Sequence, residues 1–313
     1  MIEARDLYKR YGDKVAVDHL SFTVEPGAVT GFLGPNGAGK STTMRLLLGL
    51  DRPQAGAATI DGRPYRDHVE PLKVVGALLE AKAVHTGRSA YNHLLVLAQT
   101  QGVPRSRVDE VIELVGLESV ARKRAGGFSL GMGQRLGLAA ALLGDPKVLV
   151  LDEPVNGLDP EGVIWIRNLL KYLASQGRTV FVSSHLMNEM AVTADHLIVI
   201  GRGKLLADCT TTEFIDTHSE HSVLVISPDE AKLRQVIAAD GGRTVDGQDG
   251  SFVVLDLPAP RIGELAAREG LVLYELATQK ASLEEVFIEL TRDSLEYGVH
   301  GEPGADDAQG GQS

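Results

Sequence analysis

Among 313 residues there is a single cysteine, Cys209. That excludes an intrachain disulfide and a cysteine-built zinc centre, and it fits a reducing compartment. Long apolar runs are missing as well. The longest, around Leu138–Leu143 and Val148–Leu151, fall far short of the roughly 18–20 residues that cross a bilayer. Any work at a membrane therefore needs another subunit to supply the spanning part. Basic residues are in the minority: 31 Lys and Arg stand against 42 Asp and Glu, a net charge of -11. This balance argues against nucleic acid as a partner held on a broad basic face. The stretch Met1 to Asp6 lacks the basic-then-apolar order of a secretory signal. A cytoplasmic location is expected.

What is present is a regular alternation. Apolar runs at Val29–Leu33, Val74–Leu79, Val148–Leu151, Thr179–Ser183 and His196–Ile200 read as strands. Between them, Lys40–Leu48, Ser89–Gln101, Arg107–Val115, Gln134–Leu143, Glu161–Ala174 and Leu186–Val192 carry helical spacing. Fully apolar strands alternating with helices predict an α/β fold with a parallel sheet covered on both faces. Ser21–Val24 and Ala57–Gly62 alternate apolar with polar instead, which predicts a small antiparallel sheet beside the main one.

Past Thr212 the style changes. Strands at His221–Ser227, Gly242–Val245, Ser251–Leu257 and Leu271–Ala277 frame helices at Asp229–Ala239 and Arg261–Arg268. This is the βαββαβ order of a ferredoxin-like unit, and a last helix is expected at Ser282–Thr291. The division predicted is a first domain at 1–212, a small α+β accessory domain at 213–297 and a disordered tail at 298–313. The tail is rich in Gly, Asp and Gln with almost nothing apolar. The second domain carries no catalytic pattern.

The chemistry begins at Gly34, where Gly34–Thr42 fits GxxxxGK[ST]. A strand runs in and a helix runs out, as a phosphate cradle requires. Glycines let backbone N–H groups converge, and the helix N-terminus adds a positive dipole. Lys40 can reach the β- and γ-phosphates, and the Ser41 hydroxyl can ligate Mg²⁺. The strand Val148–Leu151 ends in two adjacent carboxylates, Asp152 and Glu153. Ligands of doubly wound sheets sit at such strand ends. One acid can hold the metal, and the next can take the proton of the attacking water. His185 follows another apolar strand and reaches the same rim, in hydrogen-bonding range of a γ-phosphate. Read alone, the acid pair could equally open a solvated loop, and a lone histidine is usually structural. The cradle upstream shifts both toward chemistry.

Together these residues resemble the ATP-binding subunit of ABC transporters, and the likeness runs over about residues 1–212. Gly34–Thr42 takes the place of the Walker A loop, with Asn36, Gly37, Gly39, Lys40, Ser41 and Thr42 around the nucleotide. Val148–Glu153 resembles Walker B, Asn156–Pro160 the D-loop with Asp159, and His185 the switch histidine. Tyr11 matches the aromatic residue that stacks on adenine. The resemblance implies a P-loop ATPase fold with antiparallel and helical subdomains. It also implies ATP and Mg²⁺ as cofactors, a homodimer or a second ATPase chain closing head to tail around two ATPs, and a separate membrane permease.

Two departures mark a branch. Phe128–Arg135 aligns with the LSGGQ-x-QR signature. Ser129 and Gly131 are kept for the second molecule's ATP, while Leu130 and Met132 replace a Gly and a Gln. Glu80 stands where the family's Q-loop glutamine is expected, as a further candidate for the metal and nucleotide. Both features, with the closing Ser282–Thr291, resemble the bacitracin-type branch that exports antibiotics, peptides and drugs. Two other readings stay open: a soluble ABC ATPase that drives no transport, and a nucleotide-gated regulatory module.

Overall fold

Strands that send alternate side chains into two different cores organise the molecule. In the computed structural model the described residues are 1–79, 84–218, 222–247, 250–279 and 282–292. Glu80 and the expected tail 298–313 lie outside them. β1 (Ile2–Tyr11) and β2 (Lys14–Val24) form an antiparallel pair. β3 (Val29–Leu33), α1 (Lys40–Leu47) and β4 (Ala55–Ile60) follow, and β4 returns to β1, giving the sheet order β2-β1-β4. A four-residue helix α2 (Pro71–Val74) precedes β5 (Val75–Leu78). Then come α3 (Ala90–Thr100), α4 (Arg105–Leu114) and α5 (Leu130–Leu142), which pack on one another. β6 (Val148–Leu151), α6 (Pro160–Ser175), β7 (Thr179–Ser183), α7 (Met187–Thr193), β8 (His196–Gly201), β9 (Lys204–Thr210) and α8 (Thr211–His218) complete the unit.

The main sheet has the order β5-β6-β7-β3-β8-β9. All neighbours are parallel except β9, which pairs antiparallel with β8. Leu149, Leu151, Val180 and Val182 join the core beneath α5, α6 and α7. Val148, Val150, Phe181 and Phe32 face the other core, shared with α1 and the antiparallel sheet. There the rings of Phe22, Phe32 and Phe181 lie 4.9–5.8 Å apart. Each such buried ring stabilises by about 1.5–3 kcal/mol. Because β3 sits between β7 and β8, out of chain order, a crevice opens at the C-terminal ends of β3, β6 and β7.

β1 and β9 are absent from the sequence-based expectation, and α5 begins four residues earlier than its expected start at Gln134. Val74, expected to open a strand, closes α2 instead.

The small unit follows the expected order. It comprises β10 (Ser222–Ile226), α9 (Glu230–Ala239), β11 (Arg243–Asp246), β12 (Phe252–Leu255), α10 (Ala259–Glu269) and β13 (Glu275–Gln279). Its antiparallel sheet reads β11-β12-β10-β13. The last strand starts four residues later than expected, because Leu271 and Leu273 pack against the small core before it. That core holds Val223, Val225, Leu233, Ile237, Phe252, Val254, Ile262 and Ala266. α11 (Leu283–Thr291) opens with a Ser282–Glu285 capping box and leaves the small unit. It packs on α7 and α8, and Phe214, Leu283, Val286 and Phe287 enter the core of the large unit.

Candidate functional site

β3 delivers the chain to Gly34, and α1 carries it away from Gly39. Gly39 has φ +107, and a Cβ there would stand 2.2 Å from the Ala16 carbonyl, so only glycine fits. No side chain caps α1 and no acid occupies its first turn. Helix geometry therefore leaves the N–H groups of Lys40, Ser41 and Thr42 without intrahelical partners, beside the positive end of the dipole. Lys40 Nζ folds back over the loop, donating to Gly34 O at 2.6 Å and Pro35 O at 3.3 Å. Burial pushes its pKa down, and Glu153 and Asp152 pull it partly back. The lysine thus stays close to the two acids in a place that disfavours its charge, which an anion would relieve.

The acids are held by their neighbours. Asp152 N–H donates to Leu78 O at 2.7 Å, extending the β5–β6 pairing by one residue. Its carboxylate accepts from Ser41 at 2.6 Å and from Ser183 at 2.5 Å. Ser183, the last residue of β7, also accepts the Glu153 N–H at 2.9 Å. Glu153 stands at φ +50, a left-handed conformation that costs a side chain-bearing residue roughly 1–2 kcal/mol. Its carboxylate lies 2.7 Å from His185 Nδ1 and 3.3 Å from His185 N. Its carbonyl accepts from Asn156 N and from Gln134 Nε2, the latter at 3.0 Å.

These groups border a groove of about 790 Å³. Tyr11, Asn36, Gly37, Gly39, Lys40, Ser41, Thr42, Asp152 and Glu153 all line it, as the sequence leads one to expect. His185 joins through Glu153. The Tyr11 hydroxyl donates to Asp51 at 2.7 Å, and Arg45 Nε holds the same carboxylate at 2.8 Å. Burial raises the Tyr11 pKa, reinforced by that bond, and the Arg45 bond keeps Asp51 below the ordinary carboxylate range. The tyrosine ring, 46% exposed, is thereby fixed at its far end at the groove mouth.

Three expected residues lie elsewhere. Ser129 caps α5, accepting from Met132 N at 3.2 Å, and is exposed. Gly131 packs against the Gly157 carbonyl. Asp159 caps α6, accepting from Gly162 N at 3.0 Å. Leu130, 54% exposed, covers Gly157 and reaches the groove wall. Glu80 falls outside the described residues, although its neighbour Leu79 lines the groove.

Ser183, Gln134 and Asp51 are missed by sequence reasoning. Ser183 had a signal, since it closes the strand next in space to the one ending at Asp152. Gln134 had one too, as the glutamine that closes the LSGGQ-x-QR signature, although the motif does not point to Glu153. Asp51 had none, because its partner Tyr11 is distant in sequence.

A glycine loop leading into a free helix N-terminus, with a carboxylate pair on the adjoining strand, defines a P-loop nucleoside triphosphatase. Comparison with known proteins narrows the class. Residues 17–156 match the ABC transporter family, and 221–284 match a domain of unknown function. Residues 123–191 also match an AAA domain described as a putative AbiEii toxin of a type IV TA system. An uncharacterized ABC transporter ATP-binding protein, YhcH of Bacillus subtilis (strain 168), is 38% identical over 306 residues, covering 96% of this chain and 99% of that one. The bacitracin transport ATP-binding protein BcrA of Bacillus licheniformis is 44% identical over 211 residues, 66% of this chain and 69% of its own length. The dimeric post-hydrolysis structure of the ATP-binding cassette MJ0796 with ADP and Pi matches with a TM-score of 0.61 at 23% identity. It covers 67% of this chain and 99% of that one, a likeness of fold. The chain belongs to the ATP-binding subunits of ABC transporters, and is an ABC ATPase. The resemblance read from its motifs is borne out at the level of the family.

Proposed function

We propose that this ATPase powers export of an antibiotic, peptide or other drug through a separate membrane permease, working on the inner face of the cell membrane. The observation that carries the catalytic half is the bonded set Ser41–Asp152–Ser183–Glu153–His185 at the ends of β6 and β7. In this reading Glu153 takes the proton of the attacking water while His185, as its Nδ1–H tautomer, orients the carboxylate. Lys40 and the first-turn N–H groups of α1 hold the phosphates, Tyr11 stacks on the base, and Ser129, Gly131 and Asp159 serve a second chain's nucleotide. Among the described residues no three His, Cys, Asp or Glu cluster as metal ligands. The oxygen pair Ser41 Oγ and Asp152 Oδ2 fits a metal that takes most ligands from phosphate and water, as Mg²⁺ does. Bound there, Mg²⁺ would neutralise phosphate charge.

Antibiotic export is supported by the relation to the bacitracin protein, and dimer formation by the dimeric cassette of like fold. No described helix is long and apolar enough to cross a membrane, and in this reading a separate permease supplies the spanning part. The test is size-exclusion chromatography of Glu153→Gln with ATP, together with turnover. An ATP-retaining dimer without hydrolysis supports the reading, and near-normal turnover removes Glu153 as base. Copurification with ribosomes instead of a membrane protein would contradict the transport role.

A further inference from the structure

We propose that Gln134 is a positioning residue that carries the state of one nucleotide site to the catalytic base of the other. This rests on the two-chain reading above. α5 is capped by Ser129, at the end assigned to the nucleotide held by a second chain. Gln134 lies little more than one turn along the same helix. It is buried, 4% exposed, and its Nε2 donates to Glu153 O at 3.0 Å within its own chain. A carbonyl only accepts, so the contacting atom is the amide nitrogen. One short helix segment therefore touches both sites.

Glu153 is sensitive to this contact because its backbone is left-handed and fixed from several sides. Ser183 grips the peptide before it and His185 grips its carboxylate. Both come from β7 and the turn that follows, inside the main sheet. Among the bonds to Glu153, the one from Gln134 alone comes from α5. When the N-terminal end of α5 engages an anion, a small shift of the helix pulls or slackens the peptide after Glu153 while Ser183 holds the peptide before it. The carboxylate then turns relative to the attacking water. A hydrogen bond responds steeply to such shifts, and a packed helix moves as a body.

Mixed dimers test this. Two differently tagged chains are combined so that one carries Glu153→Gln and a single working base remains. Gln134→Met is placed either on the chain that keeps Glu153 or on its partner. Placed with the working base, it should slow turnover at least about tenfold with nucleotide Kd changed less than about twofold. Placed on the partner, it should leave the rate within about twofold of the dimer with Gln134 intact. Equal loss in both arrangements, or loss only from the partner, would make Gln134 a mere support of the α5 surface and overturn the proposal, as would no loss in either. Gln134→Glu keeps the shape but cannot donate while ionised. It gives the same reading should the methionine variant fold poorly. A Glu153→Gln parent that never dimerises with ATP would remove the two-chain reading itself, a result distinct from indifference to Gln134.

Discussion

The two walls of the groove are built on different principles. On the strand side, Asp152, Glu153, Ser183, Ser41 and His185 bond to one another at the ends of buried strands. On the α5 side, Ser129 spends its hydroxyl on its own helix, Leu130 is more than half exposed, and Gly131 leans on Gly157. The first wall is complete within one chain. The second ends in a helix terminus whose Leu130 and Gly131 N–H groups meet no acceptor among the described residues. Strand ends fix side chains because the core behind them is packed. A helix terminus offers backbone donors to whatever arrives.

Substitutions on each wall should separate these roles. The largest effect belongs to Glu153→Gln, which should lower turnover by roughly 10²–10⁴-fold while nucleotide still binds, read by a phosphate-release assay beside a binding titration. Ser129→Arg should come next. Cooperative hydrolysis is lost, the rate falls at least about tenfold, and ATP binding to the same chain is spared. Normal, cooperative turnover in this variant would erase the distinction between the walls.

Ser183→Ala leaves the Glu153 N–H unpaired and strips one donor from Asp152. It should cost about 1–3 kcal/mol, visible as a Tm lowered by several degrees and a kcat reduced about tenfold. Asp51→Ala frees the Tyr11 hydroxyl and should raise the KM for ATP only a few-fold with kcat unchanged. Asp159→Ala removes the α6 cap and should cost about 1 kcal/mol in a thermal melt. A loss of turnover beyond what that destabilisation explains would support the place proposed for Asp159 at a second chain's nucleotide, and unchanged turnover would leave it a cap alone.

The strand wall was the legible part. Val29–Leu33, Val148–Leu151 and Thr179–Ser183 are strands buried along their whole length; the last two run straight into polar groups, and β3 reaches its own through the glycine loop before α1. β1 was illegible for a physical reason. Asp6 sits at φ +51 within shifts of register, so the apolar positions Ile2, Ala4 and Leu7 change phase. β9 is an edge strand, half exposed, with little apolar alternation to betray it. The start of α5 looked like a loop because Gly131 and Gly133 dilute its helical pattern, yet the Ser129 cap sets the first turn there. Gln134, Ser183 and Asp51 show the remaining limit. Their contacts lie 19, 30 and 40 residues away, so even where a strand end marks Ser183 and the signature motif marks Gln134, the partner is not legible locally.

The placement of α11 has a consequence for biosynthesis. The helix belongs to the core of the large unit, yet the whole small unit is translated before it. Until residues 283–291 emerge, the faces of α7 and α8 on which α11 packs stay uncovered. The ATPase core therefore closes only after the small unit has left the ribosome. A chain interrupted between the two would carry every residue proposed to hold nucleotide and still present a bare apolar seam, a ready target for chaperones and proteases.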